Sequence, residues 1–542
     1  MKRFLVLLIV PVLLLGLLFA GCEPVEEEPE EEPEESEESE EPEESEEPVE
    51  QEIAIAIGAE PESLDPLKMT SAPAATVSEH MAENLIYLNE DGELEPALAT
   101  NWEAEEDGES YLIELREGVT FHDGEPFNAE AVKYNLDRFM GKGEFEGEET
   151  AVFEFLLGEV DEVEVVDDYT IRIHMEERFA PLITHLSHSF IAMHSPASIE
   201  ALDEGEDIQA PVGTGPFTYA GWDRGEQIAM ERNEDYWGDA PELEQVTFKF
   251  VPEGSSRVIM IETGEVDAVM DIPFAEVERL EGEEGIEIVY EESVRNIYIG
   301  FNNESELFKD NKELRQALNY AVDKQAICDT IFAGAYEPSS APIVPAVFGY
   351  NEVGPYEYDP DRAQELMAEA GYEDGFEMEL YHPSGRYPMD ETVAETVQGM
   401  LAEVGIEANL TTYDWGTYLE VINQEDPADA EHDAFMLGWG TVTWDADYGL
   451  YSLLHSGEWP PASNRTYYAN EEVDALLEDA RKEMDPDVRE ELYADAIEII
   501  WDDAPWIFLY DQVQVNAETD RVEGLIHHPL ENISAWDAYV VE

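Results

Sequence analysis

The sequence predicts a mixed α/β protein. Short runs that alternate at period two, longer runs with apolar residues three and four apart, and their interleaving without a fixed repeat all point that way. Length divided by about 150 gives a prior of about three domains for a chain of 542 residues.

The chain opens with Met1, Lys2 and Arg3, followed by an apolar run of 17 residues from Phe4 to Ala20 and then Gly21-Cys22. This order reads as a lipoprotein signal peptide over residues 1–21, with Cys22 as the lipid-bearing first mature residue. Such signals usually carry Leu three residues before the cysteine, where this chain has Phe19; an uncleaved anchor helix is the alternative. Residues 22–52 are almost wholly Glu, Pro and Ser, too polar to offset the entropy of ordering, and read as a disordered acidic tether. About 30 residues reach at most on the order of 100 Å, so the body can stand clear of a membrane.

Folding signals begin with the alternating run Ile53 to Gly58, a strand. Tyr111 to Phe121, Val160 to Val166 and Thr170 to Met175 follow as strands, the last two joined at Asp167-Asp168. Ile297 to Asn303 is expected to be a strand crossing between domains. Helical periodicity marks 128–139, 311–332, 361–370, 391–403, 471–484 and 487–501, with Asp359-Pro360 opening the third of these as a cap followed by proline. Gly213-Thr214-Gly215-Pro216 reads as a tight turn, because neither a phosphate-loop nor a dinucleotide pattern surrounds it.

Charge excludes one class of partner. With 26 Lys+Arg against 131 Asp+Glu the net charge is −105, the wrong sign for nucleic acid. The tether supplies roughly 19 of the acids, so the excess covers the body and fits a saline habitat where the Debye length is short. Once Cys22 is lipidated, Cys328 is left unpaired and reads as a buried inert thiol. His185, His188 and His194, and the pair His527-His528, match no metal-ligand spacing, so no metal or other cofactor is expected. No nucleophile elbow occurs, and carboxylates are too common to single out an acid/base couple, so no enzyme is expected.

Several runs together resemble one family, the family 5 (cluster C) solute-binding proteins of ABC importers for peptides, glutathione and nickel. They are Glu62 to Pro66, Leu115 to Gly124, Pro211 to Phe217 with Arg232-Asn233 and Tyr236-Trp237, and Leu314 to Asp323. They stand in order, and the similarity runs from about Ile53 to Val541. The C-terminal third, with Gly438-Trp439, Asp445 to Tyr448, Trp459-Pro460-Pro461, Ile500-Trp501 and Pro505 to Ile507, is most similar to glutathione- and dipeptide-binding receptors.

The resemblance implies a two-lobed fold of the periplasmic-binding-protein type II kind, with mixed sheets flanked by helices, an extra domain and a ligand cleft between lobes. Lobe I is expected from residues 53–85, 211–295 and 511–542, the extra domain from 86–210 and the other lobe from 296–510. It implies capture of a peptide-like solute, an oligopeptide, dipeptide or glutathione, for an ABC permease by a lipid-anchored monomer on the outer face of the cytoplasmic membrane. A nickel or haem carrier of the same family, or a peptide sensor that does not transport, is the alternative.

A cleft for a zwitterionic peptide needs donors for carboxylates, an acceptor for the ammonium and flat apolar walls. Arg295 and Arg386 are the candidate donors, with Tyr387 beside Arg386; for Arg295 the alternative is an ion pair with the protein's own acids. Trp439 and Trp444 are candidate walls or core caps, and Tyr413 and Trp415 could join them. Dipeptide receptors of similar pattern place an aspartate shortly after the Gly-Trp pair, where this chain has Val442, so Asp445 and Asp447 become the candidate ammonium acceptors.

Overall fold

Alternation along single strands builds the centre of the molecule. In Ile286–Phe301, Ile297, Ile299 and Phe301 turn to one core while Val294 and Tyr298 turn to another; in Trp506–Thr519, Ile507 and Leu509 oppose Trp506 and Phe508 in the same way. A period of two with both faces apolar forces a sheet buried on both sides, flanked by helices. This is the α/β class the sequence predicts, here in the two-lobed form. The computed structural model describes residues 50–69, 71–106, 108–146, 151–203 and 212–541; the signal segment, Cys22 and nearly all of the acidic tether lie outside these.

Among the described residues the main sheet has eleven strands, one of them the short Glu337–Pro338, which pairs beside Tyr510 and Asp511. One half contains Ile406–Tyr413, Phe376–Pro383 and Ala434–Gly440; the other contains Ala268–Val269, Glu52–Ile57, Gln245–Phe250, Gln227–Arg232 and Phe217–Asp223. Between the halves run the two long antiparallel strands Ile286–Phe301 and Trp506–Thr519, paired from Ile286 opposite Thr519 to Gly300 opposite Trp506. Their register shifts between Glu292 and Asn296 and again between Ile297 and Tyr298. Extra residues on one strand bend a ladder, so the sheet bends where its halves meet.

A second, four-stranded antiparallel sheet joins Ala99–Ala104, Ser110–Leu115, Thr170–Met175 and Val160–Asp167. Helix Ala129–Phe139 packs on it, its first turn capped by the Asn128 side chain at the Ala131 amide.

Three expected elements differ. The helix expected over 311–332 is two helices, Lys312–Ala321 and Lys324–Ile331, because Asp323 caps a new first turn at the Ala326 amide, 2.9 Å away. The strand expected from Tyr111 to Phe121 ends at Leu115, and Gly118 beyond it takes the left-handed φ of 82° that a turn requires. The strand expected from Ile297 to Asn303 is instead the C-terminal part of a much longer one. Gly213 sits where a Cβ would come within 2.2 Å of the Met81 carbonyl oxygen, so close backbone approach demands glycine there. Cys328 is buried and unpaired, its thiol pushed up to about 12 by burial.

Candidate functional site

The loop after strand Phe376–Pro383 is shaped by one carboxylate. Asp390 accepts backbone N–H bonds from Gly385, Arg386, Tyr387 and Glu391 at 2.9–3.2 Å, which turns the chain and projects the Arg386 side chain outward. The Arg386 guanidinium lies 5.0 Å from the Tyr387 ring centre and 5.1 Å from that of Trp415. It is exposed, and among the described residues it is the arginine whose side chain has neither a hydrogen bond nor an ion pair. In a chain with 131 acids, this guanidinium lies against two aromatic rings without a carboxylate partner.

Tyr387 is buried beneath it and donates its hydroxyl to the Gly438 carbonyl at 3.3 Å. Strand Ala434–Gly440 pairs Trp439 with Asn296 and Gly440 with Arg295; paired residues share a face, so Arg295 and Tyr387 lie over Gly440 and Gly438 while Trp439 turns to the other face. The half-buried Trp439 donates its indole N–H to the Tyr448 carbonyl at 3.1 Å and stacks on the Tyr448 ring at 5.4 Å. The structure thus brings together Arg295, Arg386 and Tyr387, joined by Trp415, while Trp439 and Tyr448 form a separate stacked pair.

Arg295 stands at the bend of the long strand and is ion-paired. Glu531 accepts from its Nε at 2.7 Å and its Nη2 at 2.8 Å, from Ser293 Oγ at 2.9 Å and from Gln512 Nε2 at 3.1 Å. Burial would raise the Glu531 carboxyl, but Arg295 outweighs it and holds it below its ordinary value. Glu531 itself takes a left-handed φ of 64°. This saturated acid ties strand positions 293–295 and 512 to the C-terminal segment and forms a rigid floor.

Asp271 follows strand Ala268–Val269 in the other half of the sheet, also with a left-handed φ of 56°. Water reaches the Asp271 side chain, but the protein crowded around it pushes its carboxyl above the ordinary value, with Glu531 adding to this and Arg257, Arg386 and Arg295 opposing it.

The remaining predicted residues lie apart from this group. Asp445 is buried and accepts from Arg489 Nη1 and Nη2 at 2.7 Å each; burial would raise its carboxyl, but Arg489 holds it low. Asp447 is likewise buried and takes Arg481 Nε at 2.7 Å and Nη2 at 3.0 Å, with His185 Nε2 3.9 Å away. Both carboxylates expected to accept an ammonium are therefore occupied by the chain's own arginines. Trp444 is buried, edge-on to His528 at 6.2 Å and against Gly92, where a Cβ would meet its ring at 2.0 Å; it caps the core.

Asp271 and Glu531 carry no mark in the sequence. Asp271 precedes Ile272-Pro273, a turn signal, yet nothing in the chain separates it from the other acids. An internal cavity of about 50 Å³, lined by Glu79, Glu83, Tyr87, His528 and Asn532 among others, has room for water but not for a peptide. Burial pushes the Glu79 carboxyl there up to about 8.

The model of the bacterial extracellular solute-binding proteins, family 5, matches residues 93–461. The chain is 32% identical over 496 residues to the glutathione-binding protein GsiB of Pectobacterium atrosepticum, covering 91% of this chain and 95% of that protein. The periplasmic binding protein DppA of Helicobacter pylori, solved with the peptide STSA, superposes with a TM-score of 0.78 at 29% identity, over 90% of this chain and 98% of that one. The dipeptide-binding protein of a Pseudoalteromonas species, solved with Met-Leu, gives 0.80 at 26% identity, over 91% and 100%.

Proposed function

This chain belongs to the bacterial extracellular solute-binding proteins of family 5, and on that premise we propose that it captures a short peptide, a dipeptide, oligopeptide or glutathione, for an ABC permease. The vacant guanidinium of Arg386, clamped by Tyr387 and Trp415, is the observation that carries this reading: it is built to receive a carboxylate. Trp439 and Tyr448 supply a flat wall for the ligand's stem. Arg295, whose Nε and Nη2 are spent on Glu531, stiffens the floor of the recess and offers its Nη1 toward the ligand. Trp444, Asp445 and Asp447 have no ligand role in this reading, because packing and internal arginines already engage them.

The bend at Glu292 to Asn296 serves as the hinge, close to the expected boundaries at 295 and 510. Ligand that touches both halves favours the closed form that a permease recognises. The N-terminus holds the body at the outer face of the cytoplasmic membrane through lipid on Cys22. Among the described residues no helix is long and apolar enough to cross a membrane.

A thermal-shift screen in molar salt with peptides, glutathione, sugars and Ni²⁺ tests the proposal. Peptide or glutathione should raise the melting temperature, and Arg386→Gln should weaken that ligand at least tenfold, the loss of about 1.5–3 kcal/mol expected for a charged hydrogen bond. Stabilisation by a sugar or Ni²⁺ alone would remove the peptide reading.

A further inference from the structure

We propose that His185 and His188 make closure of the receptor acid-sensitive: both stay neutral where the segment 86–210 meets the lobe 296–510, so acid opens that seam and releases the ligand. This rests on the hinge reading above and adds its regulation.

The two histidines stand on one side of the seam, and the loop and helix that carry Asp447 and Arg481 stand on the other. Ala180 donates its amide to the Arg481 carbonyl at 2.7 Å, Lys482 pairs with Glu177 at 2.5 Å, and Tyr111 donates its hydroxyl to Met484 Sδ at 3.8 Å. The Arg481 guanidinium lies 3.5 Å from the Tyr451 ring centre on its own side and reaches Phe155 at 4.9 Å and Phe179 at 5.2 Å on the other. The histidine side is tied in turn to lobe I, because Asn84 Nδ2 donates to the carbonyls of Leu186 at 3.2 Å and His188 at 2.6 Å. A hinge motion that parts the lobes therefore parts this seam.

Hydrogen bonding fixes which nitrogen of each ring is bare. His185 is fully buried, and its Nδ1 lies 2.9 Å from the Leu156 carbonyl, which can only accept. In the neutral ring Nε2 then carries the lone pair; among the described residues it has no hydrogen bond, and it lies 3.9 Å from Asp447 Oδ2. His188, also buried, accepts the Phe190 amide at Nδ1 at 3.1 Å and sets its ring 6.1 Å from that of Tyr448 across the seam. A proton on that Nδ1 would displace the amide.

Among the described residues the charges that face His185 are Asp447, Asp445 and Arg481, and the two acids are already bonded by Arg481 and Arg489. A proton on His185 makes a third cation beside two acids inside the protein, and one on His188 adds a fourth. Burial accordingly holds His185 below its ordinary value, with Arg481 reinforcing this against Asp447 and Asp445, and takes His188 down to about 3. Opened to water, both return toward about 6.5. The closed seam binds these protons less tightly than the open one, so closure is favoured above about pH 7 and is lost as pH falls through about 6.5.

Titration calorimetry in molar salt with reduced glutathione and with the dipeptide Met-Leu, at pH 7.5 and at pH 5.5, tests the assignment. Wild-type affinity should fall about tenfold for each histidine between the two. His185→Asn and His188→Asn should each remove one such factor, and the double variant should bind almost equally at both. Asp511 titrates in the same window, and the variants separate its share. Wild-type affinities within twofold of each other, or a double variant that falls as the wild type does, would overturn the switch while leaving the peptide reading intact. If the variants melt early, the wild type decides alone: binding at pH 6, followed in two buffers of different ionisation enthalpy, should release about 1.5 protons, and release of none overturns the switch. If neither ligand binds at pH 7.5, the peptide reading falls, and small-angle scattering of the unliganded chain tests the seam by itself. Its radius of gyration should grow between pH 7.5 and pH 5.5, and a constant radius overturns the switch.

Discussion

At the scale of single residues, the structure sorts charges that look alike in the chain. Asp445 and Arg386 both fall in glycine-bearing loops, yet one is a buried half of an ion pair and the other is exposed and without a carboxylate partner. Asp445→Ala should therefore cost about 3–5 kcal/mol by stranding Arg489 in the interior, measured by denaturant titration. Arg386→Gln should leave the melting point almost unchanged and lose ligand. Asp511, near the hinge, carries a pH signature: burial pushes its carboxyl up to about 7, with Glu292 adding to the effect and Ser339 opposing it. Between its ordinary value of 3.8 and about 7 the folded chain binds the proton more tightly than the unfolded one. Its contribution is thus full below about pH 4 and is lost as pH rises through 7. Asp511→Asn stays neutral throughout, so its stability relative to wild type should climb between pH 4 and pH 8, by at most about 1.4 kcal/mol per pH unit. A flat difference across that range would contradict the protonated Asp511.

At the scale of elements, the two long strands between the halves bear the most weight. Trp506 is fully buried and stacks on Tyr298 at 4.0 Å across their pairing, with Phe508 edging it at 5.7 Å. Trp506→Ala should open a cavity there and destabilise the fold by about 3–5 kcal/mol, read from the denaturation midpoint. Boundaries of most helices were legible because caps are local: Asp359 bonds the Arg362 amide at 2.9 Å and Asn470 the Glu472 amide at 3.0 Å. The split at Asp323 was not legible, because apolar periodicity continues through it and the cap competes only once both turns are packed. The strand expected at Ile297 to Asn303 was short for a related reason. Its N-terminal part, from Ile286 to Glu292, is charged and exposed in alternation and becomes a strand by pairing with 513–519.

At the scale of the whole molecule, the net charge of −105 sets the conditions for folding. Most cations are already paired, so the excess acids repel one another across the body, and salt shortens the range of that repulsion to about 3 Å at 1 M. The melting temperature should rise markedly between 0.05 M and 2 M NaCl, by more than the few degrees of a near-neutral protein; no rise would contradict the saline habitat. The same screening weakens exposed pairs such as Lys482 with Glu177 while sparing Arg489 with Asp445 inside.

The sequence by itself determined the α/β class, the receptor family, the acidic solution character and the loop that carries Arg386 and Tyr387. Those follow from periodicity, ordered motifs and composition, which are properties of the chain read in one dimension. Only the tertiary structure decided which carboxylates are free. Asp445 finds Arg489 forty-four positions on, and Glu531 finds Arg295 more than two hundred positions back. The Asp271 carboxylate makes no ion pair, while Arg257 is spent on backbone carbonyls. An ion pair depends on distance in space, and among so many acids no local signal distinguishes those that find an internal partner from those that do not.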